Sequence, residues 1–409
     1  MKGPSLSAGV VTAAIARVFE MTMAVLNVPT PDYMADEEFV MFGDSVGRFL
    51  DENAPPEQLT KWREDGIVPL EFWRKAAGAG LLGLSTPVEY GGVGGDFRHE
   101  VVLMREIGLR GFEGWDITLH NAIIAPYIES YGTEEQKRTW LPRLASGEAI
   151  GAIAMTEPGT GSDLQSVKTT ARRDGDHYVI NGSKTFITNG QNANLIIVVA
   201  KTDTNAGARG ISLILVDTTD AEGFERGRNL DKIGRSMSDT SELFFNDVRV
   251  PTSNLLGQEE GQGFIQLMEK LPQERLILGV QGVAAIEYAL GVTLDYVKER
   301  RAFGKAIIDF QNTQFKLAEL KTEATIARVF VDHCVGQHIQ GKLDSPTASM
   351  AKYWVSDLHG KVVDECLQLH GGYGYMNEYP IAQAWKDARV NRIYGGTTEI
   401  MKLLISRTL

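Results

Sequence analysis

From Leu271 to Arg300 the chain has a long apolar stretch: Leu276-Ile277-Leu278-Gly279-Val280, then Val283, Ala284, Ala285, Ile286 and Ala289. A helix of that composition is apolar around most of its circumference, so other elements must cover it on nearly every side. Pro272 suits a first helical turn, because the amide hydrogen it lacks has no partner there. The run is therefore read as opening at Leu271-Pro272-Gln273-Glu274-Arg275. Glu274 and Arg275 then stand at the mouth of a buried helix, where charge is costly unless it is used or paired. Either Glu274 complements the helix dipole and Arg275 meets a neighbouring acid, or the two do chemistry.

The 409 residues, 43% of them hydrophobic, are too many for a single core and point to two or three structural units. Texture divides them. Phe39, Val40, Phe42, Val46, Phe49 and Leu50 recur at helical spacing, Phe72 and Trp73 continue the theme, and Thr133-Glu134-Glu135-Gln136 has capping-box spacing. From Ile150 short strand-like runs follow one another: Ile150 to Met155, Val167 to Arg172, Tyr178 to Ile180, Thr185 to Thr188, Leu195 to Ala200, Ile211 to Val216 and Glu242 to Val250. Asn181-Gly182 between two of them is the strongest hairpin signal in the chain. After Gly263 helices return, over about 264–300, 311–340, 346–369 and 381–393. The expected class is α+β, with a helical domain at 36–149, a β-barrel or sandwich at 150–254 and a four-helix bundle at 255–409. Residues 1–35, closed by Pro29 and Pro31, read as a flexible leader; a charged start followed by a clean apolar block, as in a targeting segment, is missing.

A net charge of −12 argues against nucleic acid as a partner. No apolar run approaches a membrane span, so no membrane partner is expected. Cys334 and Cys366 are too few for a disulfide framework or zinc cluster and read as buried thiols in a reducing compartment. No metal site is expected. The glycine-rich loop Tyr90 to Asp96 lacks the strand before it and the Lys-Ser/Thr after it that a phosphate loop requires, and reads as a bend.

Five segments carry candidate chemistry. Thr156-Glu157-Pro158-Gly159-Thr160-Gly161-Ser162-Asp163 follows a strand and offers close-approach glycines and hydroxyls. Phe186-Ile187-Thr188 sets an aromatic beside a hydroxyl, suited to a flat ring with polar edges. Arg300-Arg301-Ala302-Phe303-Gly304-Lys305 brings cations to a helix end, and Gln368-Leu369-His370-Gly371-Gly372 ends another helix. Tyr394-Gly395-Gly396-Thr397-Thr398-Glu399 leads into a helix and suits an anion or ring oxygen.

With these segments in this order, the chain resembles the acyl-CoA dehydrogenase family over nearly everything after Asp36, most closely its long-chain branch. The resemblance implies FAD between the β domain and the bundle, an acyl-CoA substrate against it, and assembly as a homotetramer, a dimer of dimers. It implies an electron-transfer flavoprotein as acceptor. Carried over position by position, Ile153, Met155, Thr156, Gly161 and Ser162 would line the cofactor, with Ser162 also touching the CoA side. Phe186, Ile187 and Thr188 would meet the isoalloxazine. Arg300, Phe303, Gln311, Gln368, Leu369, Gly371 and Gly372 would hold the ADP half, often for a neighbouring subunit, and Thr397, Thr398 and Glu399 would cap the pyrophosphate region. Arg275, Gly395 and Gly396 fall on the substrate side.

One departure matters. The commonest family pattern has a catalytic glutamate where this chain has Gly395, and the long-chain and isovaleryl branches place the base on the long bundle helix, here at Glu274. The implied reaction is removal of the pro-2 proton by Glu274 and of a hydride from C3 to flavin N5, giving a trans-2-enoyl-CoA in fatty-acid or branched-acyl catabolism. The implied location is cytoplasmic, or the mitochondrial matrix in a eukaryote. One rival keeps the fold and uses oxygen, as an acyl-CoA oxidase or flavin monooxygenase; a rival of another class is a non-catalytic acyl-CoA- or flavin-binding subunit in which Gly395 records a lost base.

Overall fold

The computed structural model describes residues 25–409. Most of the expected leader lies outside them, but packing begins before Asp36. Leu26 is buried, and the Tyr33 hydroxyl donates to the Asp332 carbonyl at 2.6 Å.

Helices α1 (Glu37–Asn53), α2 (Pro56–Asp65), α3 (Leu70–Gly78) and α4 (Phe97–Leu109) open the fold. Trp62, Phe72, Phe112 and Trp115 interlock with ring centroids 4.7–5.7 Å apart, geometries that add to the area they bury. A helical stretch follows over residues 117–131. Its middle, His120–Ile124, is a turn of π-helix, and α5 (Ala125–Tyr131) completes it. The expected capping box starts α6 (Glu134–Ala145): Gln136 N donates to Thr133 Oγ1 and Thr133 N to Gln136 Oε1.

Strands β1 (Gly151–Ala154), β2 (Thr170–Asp174), β3 (His177–Thr188), β4 (Leu195–Lys201), β5 (Ile211–Asp217), β6 (Phe224–Asn229) and β7 (Thr240–Pro251) form one seven-stranded sheet, ordered β1-β4-β2-β3-β7-β6 with β5 beside β4. The strand period of two splits its side chains between two cores. Leu195, Ile197 and Val199 face Tyr127, Ile128, Leu141 and Leu144 of the helical domain. Ile196, Val198 and Ala200 join residues of the other strands in a core inside the curled sheet. The hairpin expected at Asn181-Gly182 does not form. Both residues lie within the single strand β3, at a register shift against β7. The tight turn is Gly175-Asp176, where Asp174 pairs with His177 and Gly175 has φ +65°. Gly182 serves close approach instead, since a Cβ there would lie 2.4 Å from Thr169 Oγ1.

The C-terminal unit contains α7 (Gly263–Glu299), α8 (Gln311–Ile339), α9 (Ser345–His370), α10 (Pro380–Ala388) and α11 (Thr398–Ser406). The central helix matches the expected span of about 264–300, but it does not open at Leu271-Pro272: Pro272 lies inside α7 and Glu274 about three turns from its N-terminus. The physical reason is that 263–271 is itself helical and continues through the proline, at the cost of the one amide bond Pro272 cannot make. An 18-residue window of α7 is apolar enough to cross a bilayer, yet 89% of it is buried within the protein. The helix expected over 381–393 is shorter: α10 ends at Ala388 and a 3-10 turn follows. Apolar side chains of α7 (Leu276, Ile277, Val280, Val283) share one continuous core with Trp62, Phe72 and Ile107 of the first helices. Cys334 and Cys366 are both free and buried.

Candidate active site

Glu274 is only 6% exposed, on the central helix. Its Oε1 accepts a hydrogen bond from the buried Tyr127 hydroxyl at 2.9 Å. The start of α7 is seated on the stretch that carries Tyr127. Gln273 Nε2 donates to Ala122 O at 2.8 Å, and the Tyr131 hydroxyl to Glu269 Oε2 at 2.7 Å. The π-turn between His120 and Ile124 shifts the helical register just ahead of Tyr127, a device common at functional sites. His120 fixes that turn. Its Nδ1 accepts from Gly151 N, so its Nε2 carries the proton and donates to Leu144 O at 3.0 Å. Burial lowers its pKa to about 4, so the ring is neutral.

Burial raises the Glu274 carboxyl to about 7, against the opposing pull of Tyr127, Arg275 and Lys270. Glu274 does not complement the helix dipole as a residue at the helix mouth would, because it sits mid-helix and that effect falls off within the first turn. Arg275 turns elsewhere: its Nη1 donates to Ser345 Oγ at 2.9 Å and Ser349 Oγ at 3.3 Å, bracing α7 against α9.

Leu278 lies one turn after Glu274 on the same face of α7. That face abuts the Gly395-Gly396 turn. A Cβ on Gly395 would come within 2.6 Å of Leu278 Cδ1, and both glycines have positive φ, +62° and +93°. At Gly395 the turn presents backbone against Leu278 where a side chain would not fit.

The β-domain segments also meet. Thr185 N donates to Thr156 O at 2.9 Å, joining the loop after β1 to the end of β3. Beneath them Lys184, fully buried, donates to Met155 O at 3.1 Å, Val199 O at 2.7 Å and Glu157 Oε1 at 2.9 Å. Glu157 in turn accepts from Lys168 N and Thr169 N. Burial pushes the Lys184 amine down to about 8 and works against Glu157 ionisation, which the Lys184 ammonium and the hydrogen bonds from Thr169 and Lys168 together more than offset. A second register shift in β3, between Lys184 and Ile187, turns Ile187 into the core and leaves Phe186, φ +58°, largely exposed. Gly161 has open space around it.

Arg300, Gln368, Leu369, Gly371 and Gly372 line a separate cavity of about 530 Å³ with Tyr296 and Tyr373, and no β-domain residue is in its wall. Phe303 and Gly304 form the tip of a two-stranded hairpin, Arg301–Ala302 with Lys305–Ala306, and Phe303 is 96% exposed. Gln311, also exposed, starts α8. Thr397 caps α11 through Ile400 N, Thr398 Oγ1 donates to Asp357, and Glu399 sits in the first turn.

Sequence reasoning missed Tyr127, Lys184, Lys352 and Arg235. Lys352 had a readable signal, being a charge among Ala348, Ala351 and Val355 on the apolar stripe of α9, and it is buried. Tyr127 had none.

Three family models match the chain: the acyl-CoA dehydrogenase N-terminal domain over residues 36–148, the middle domain over 152–248 and the C-terminal domain over 261–409. The chain is 50% identical over 374 residues to the mitochondrial long-chain specific acyl-CoA dehydrogenase of Mus musculus, covering 91% of this chain and 86% of that protein. The crystal structure of an acyl-CoA dehydrogenase from Geobacillus kaustophilus is 48% identical, with a TM-score of 0.90 over 93% of this chain and 99% of that one. A glutaryl-CoA dehydrogenase of Mycobacterium smegmatis in complex with FADH2 is 29% identical, with a TM-score of 0.86 over 95% and 97%. By sequence and by fold, this chain belongs to the acyl-CoA dehydrogenase family of FAD-dependent enzymes.

Proposed function

We propose that this enzyme converts an acyl-CoA to the trans-2-enoyl-CoA with Glu274 as base. The observation that carries this reading is the buried Glu274 carboxylate on the face of α7 that the Gly395-Gly396 turn abuts.

The residues fit FAD. A flat ring with polar edges suits Phe186, turned out of the sheet beside Thr188, and the loop of Thr156, Gly161 and Ser162. Ile153 on β1, Met155 just after it and Ile187 on β3 support that surface. A diphosphate and adenosine suit the cavity holding Arg300 and the backbone of Gln368, Leu369, Gly371 and Gly372, where a Cβ on either glycine would meet nothing within 4 Å. The exposed Phe303 and Gln311 would reach a neighbouring subunit's cofactor, and the N-terminus of α11, with Thr397, Thr398 and Glu399, would hold the pyrophosphate. When bound, FAD supplies the acceptor for the hydride leaving C3 of the acyl chain.

The protein does the rest. Tyr127 holds Oε1 of Glu274, which leaves Oε2 without a hydrogen-bond partner among the described residues and free to take the C2 proton. With a pKa of about 7, Glu274 is a much stronger base than an ordinary carboxylate and is still substantially ionised at neutral pH. The Gly395 amide is the donor for the thioester oxygen as negative charge gathers there. Gly396 lets the acyl chain pass close to backbone, Ser162 reaches the CoA side, and Arg275 keeps α7 and α9 in register.

Electrons leave to an electron-transfer flavoprotein, and the protein works as a homotetramer or smaller homo-oligomer in a reducing compartment. The test is anaerobic titration of the yellow holoenzyme with acyl-CoAs of graded length and branching. At least one should bleach the flavin without nicotinamide cofactor. A flavin that no acyl-CoA reduces removes this reading.

A further inference from the structure

The Gly395-Gly396 turn presents a difficulty that the proposed reaction leaves open. Two successive glycines are the most mobile dipeptide a chain offers, yet an amide that receives a developing oxyanion must be held to within about half an ångström. Something outside the turn has to fix it.

Two buried cations hold the residues that precede and follow Gly395. Lys352, on α9, donates from Nζ to Gly396 O at 2.5 Å, the only hydrogen bond its amine makes among the described residues. Its Cε lies 3.9 Å from where a Gly395 Cβ would stand. Burial, with repulsion from Arg275, pushes the amine down to about 8, the mark of a cation kept in a costly place. On the other flank Arg235 Nη1 donates to the Tyr394 hydroxyl at 3.1 Å. Arg235 is itself anchored, through Nη2 to Asp116 Oδ1 at 2.7 Å and through its backbone amide to Asp387 Oδ1. Its backbone takes φ +49°, an unusual conformation for a non-glycine residue. Residues 394 and 396 are thus tied to α9, α10, the β-domain and the first helical domain at once. The one residue between the two ties is Gly395.

We propose that Lys352 and Arg235 are positioning residues that hold the Gly395 amide where the thioester oxygen becomes negative. The inference rests on the reading of Gly395 given above. It assigns the two cations no contact with substrate; they act through the turn.

The test uses purified holoenzyme and a 3-oxoacyl-CoA, whose acidic C2 proton makes its enolate visible by absorbance. Binding to the wild type should lower the apparent pKa of that ligand. In Lys352→Met the value should rise by about one unit, a tenfold loss of enolate, while the kcat of flavin reduction falls by about 10–100-fold and KM and FAD content stay within threefold. Tyr394→Phe removes one oxygen and no charge, so it isolates position from electrostatics. It should shift the ligand pKa in the same direction by severalfold in equilibrium constant. An unchanged ligand pKa in either variant overturns the proposal. Should Lys352→Met give no soluble holoenzyme, Tyr394→Phe decides alone. If the wild type itself forms no more enolate than free solution does, the assignment of Gly395 has failed first. A lowered wild-type value with unmoved variants removes this inference only.

Discussion

In the proposed reaction the chemistry turns on one carboxylate in a place that disfavours its charge. Glu274 has a folded pKa of about 7 because it is buried, against an ordinary 4.5. The folded state therefore binds its proton more tightly than the unfolded chain does. Stability is fully present below about 4.5 and is lost as pH rises towards 7, at a cost of about 3 kcal/mol once Glu274 is ionised. Glu274→Gln should accordingly raise the unfolding midpoint at pH 8.5 by a few degrees and change it little at pH 5, measured by thermal denaturation. An equal shift at both values would mean that the charge is not the cause. With Glu274 as the proposed base, the same pKa governs activity, so kcat/KM for flavin reduction should rise with pH through about 7. Tyr127 stabilises the ionised form, so Tyr127→Phe should move that limb upward by about one unit. A limb that stays put would show that Tyr127 does not touch the base. Glu274 stood out in the sequence as a candidate base because Gly395 stands where a family carboxylate usually does. Tyr127 was not, since its bond to Glu274 spans 147 positions and nothing local announces it.

At the scale of elements, signals were read correctly where local sequence decides and misread where packing overrides it. The Thr133 capping box formed because both partners lie within one turn. Asn181-Gly182 carries the composition of a hairpin, yet pairing with β7 on both sides keeps β3 continuous. Pro272 looked like a helix start, but the surrounding core holds α7 together through it. The bulge that turns Phe186 outward was not legible either, because it arises from register against β7 rather than from the strand's own residues. The turn at Gly395 gives the prediction proper to this scale. Gly395→Ala places a Cβ at φ +62°, 2.6 Å from Leu278 Cδ1. It should cost roughly 1–2 kcal/mol of stability and slow flavin reduction in single-turnover mixing, with FAD still bound. Full activity in this variant would show that the turn tolerates a side chain beside the base.

For the whole molecule, the helical–β–helical order was visible in the change of texture near Ala149 and again near Gly263. The core that α7 shares with the first helices was not, because it unites residues such as Trp62 and Val283 that no local period connects. The exposed Phe303 hairpin and the cavity around Arg300, whose wall contains no β-domain residue, suit a cofactor shared between copies of the chain. Sedimentation at micromolar concentration should therefore show a homodimer or larger, with flavin absorbance lost in parallel with dissociation. A monomer that keeps full FAD would contradict that. The central claim is that Glu274 takes the substrate proton, and rapid-mixing flavin reduction in the assembled Glu274→Gln holoenzyme tests it most directly. Glutamine keeps the shape and can still accept from Tyr127, but it has no basicity. The account predicts a fall of roughly 10²–10⁴ in the rate of flavin reduction, with FAD content and assembly unchanged. Reduction at close to the wild-type rate would mean that another group is the base.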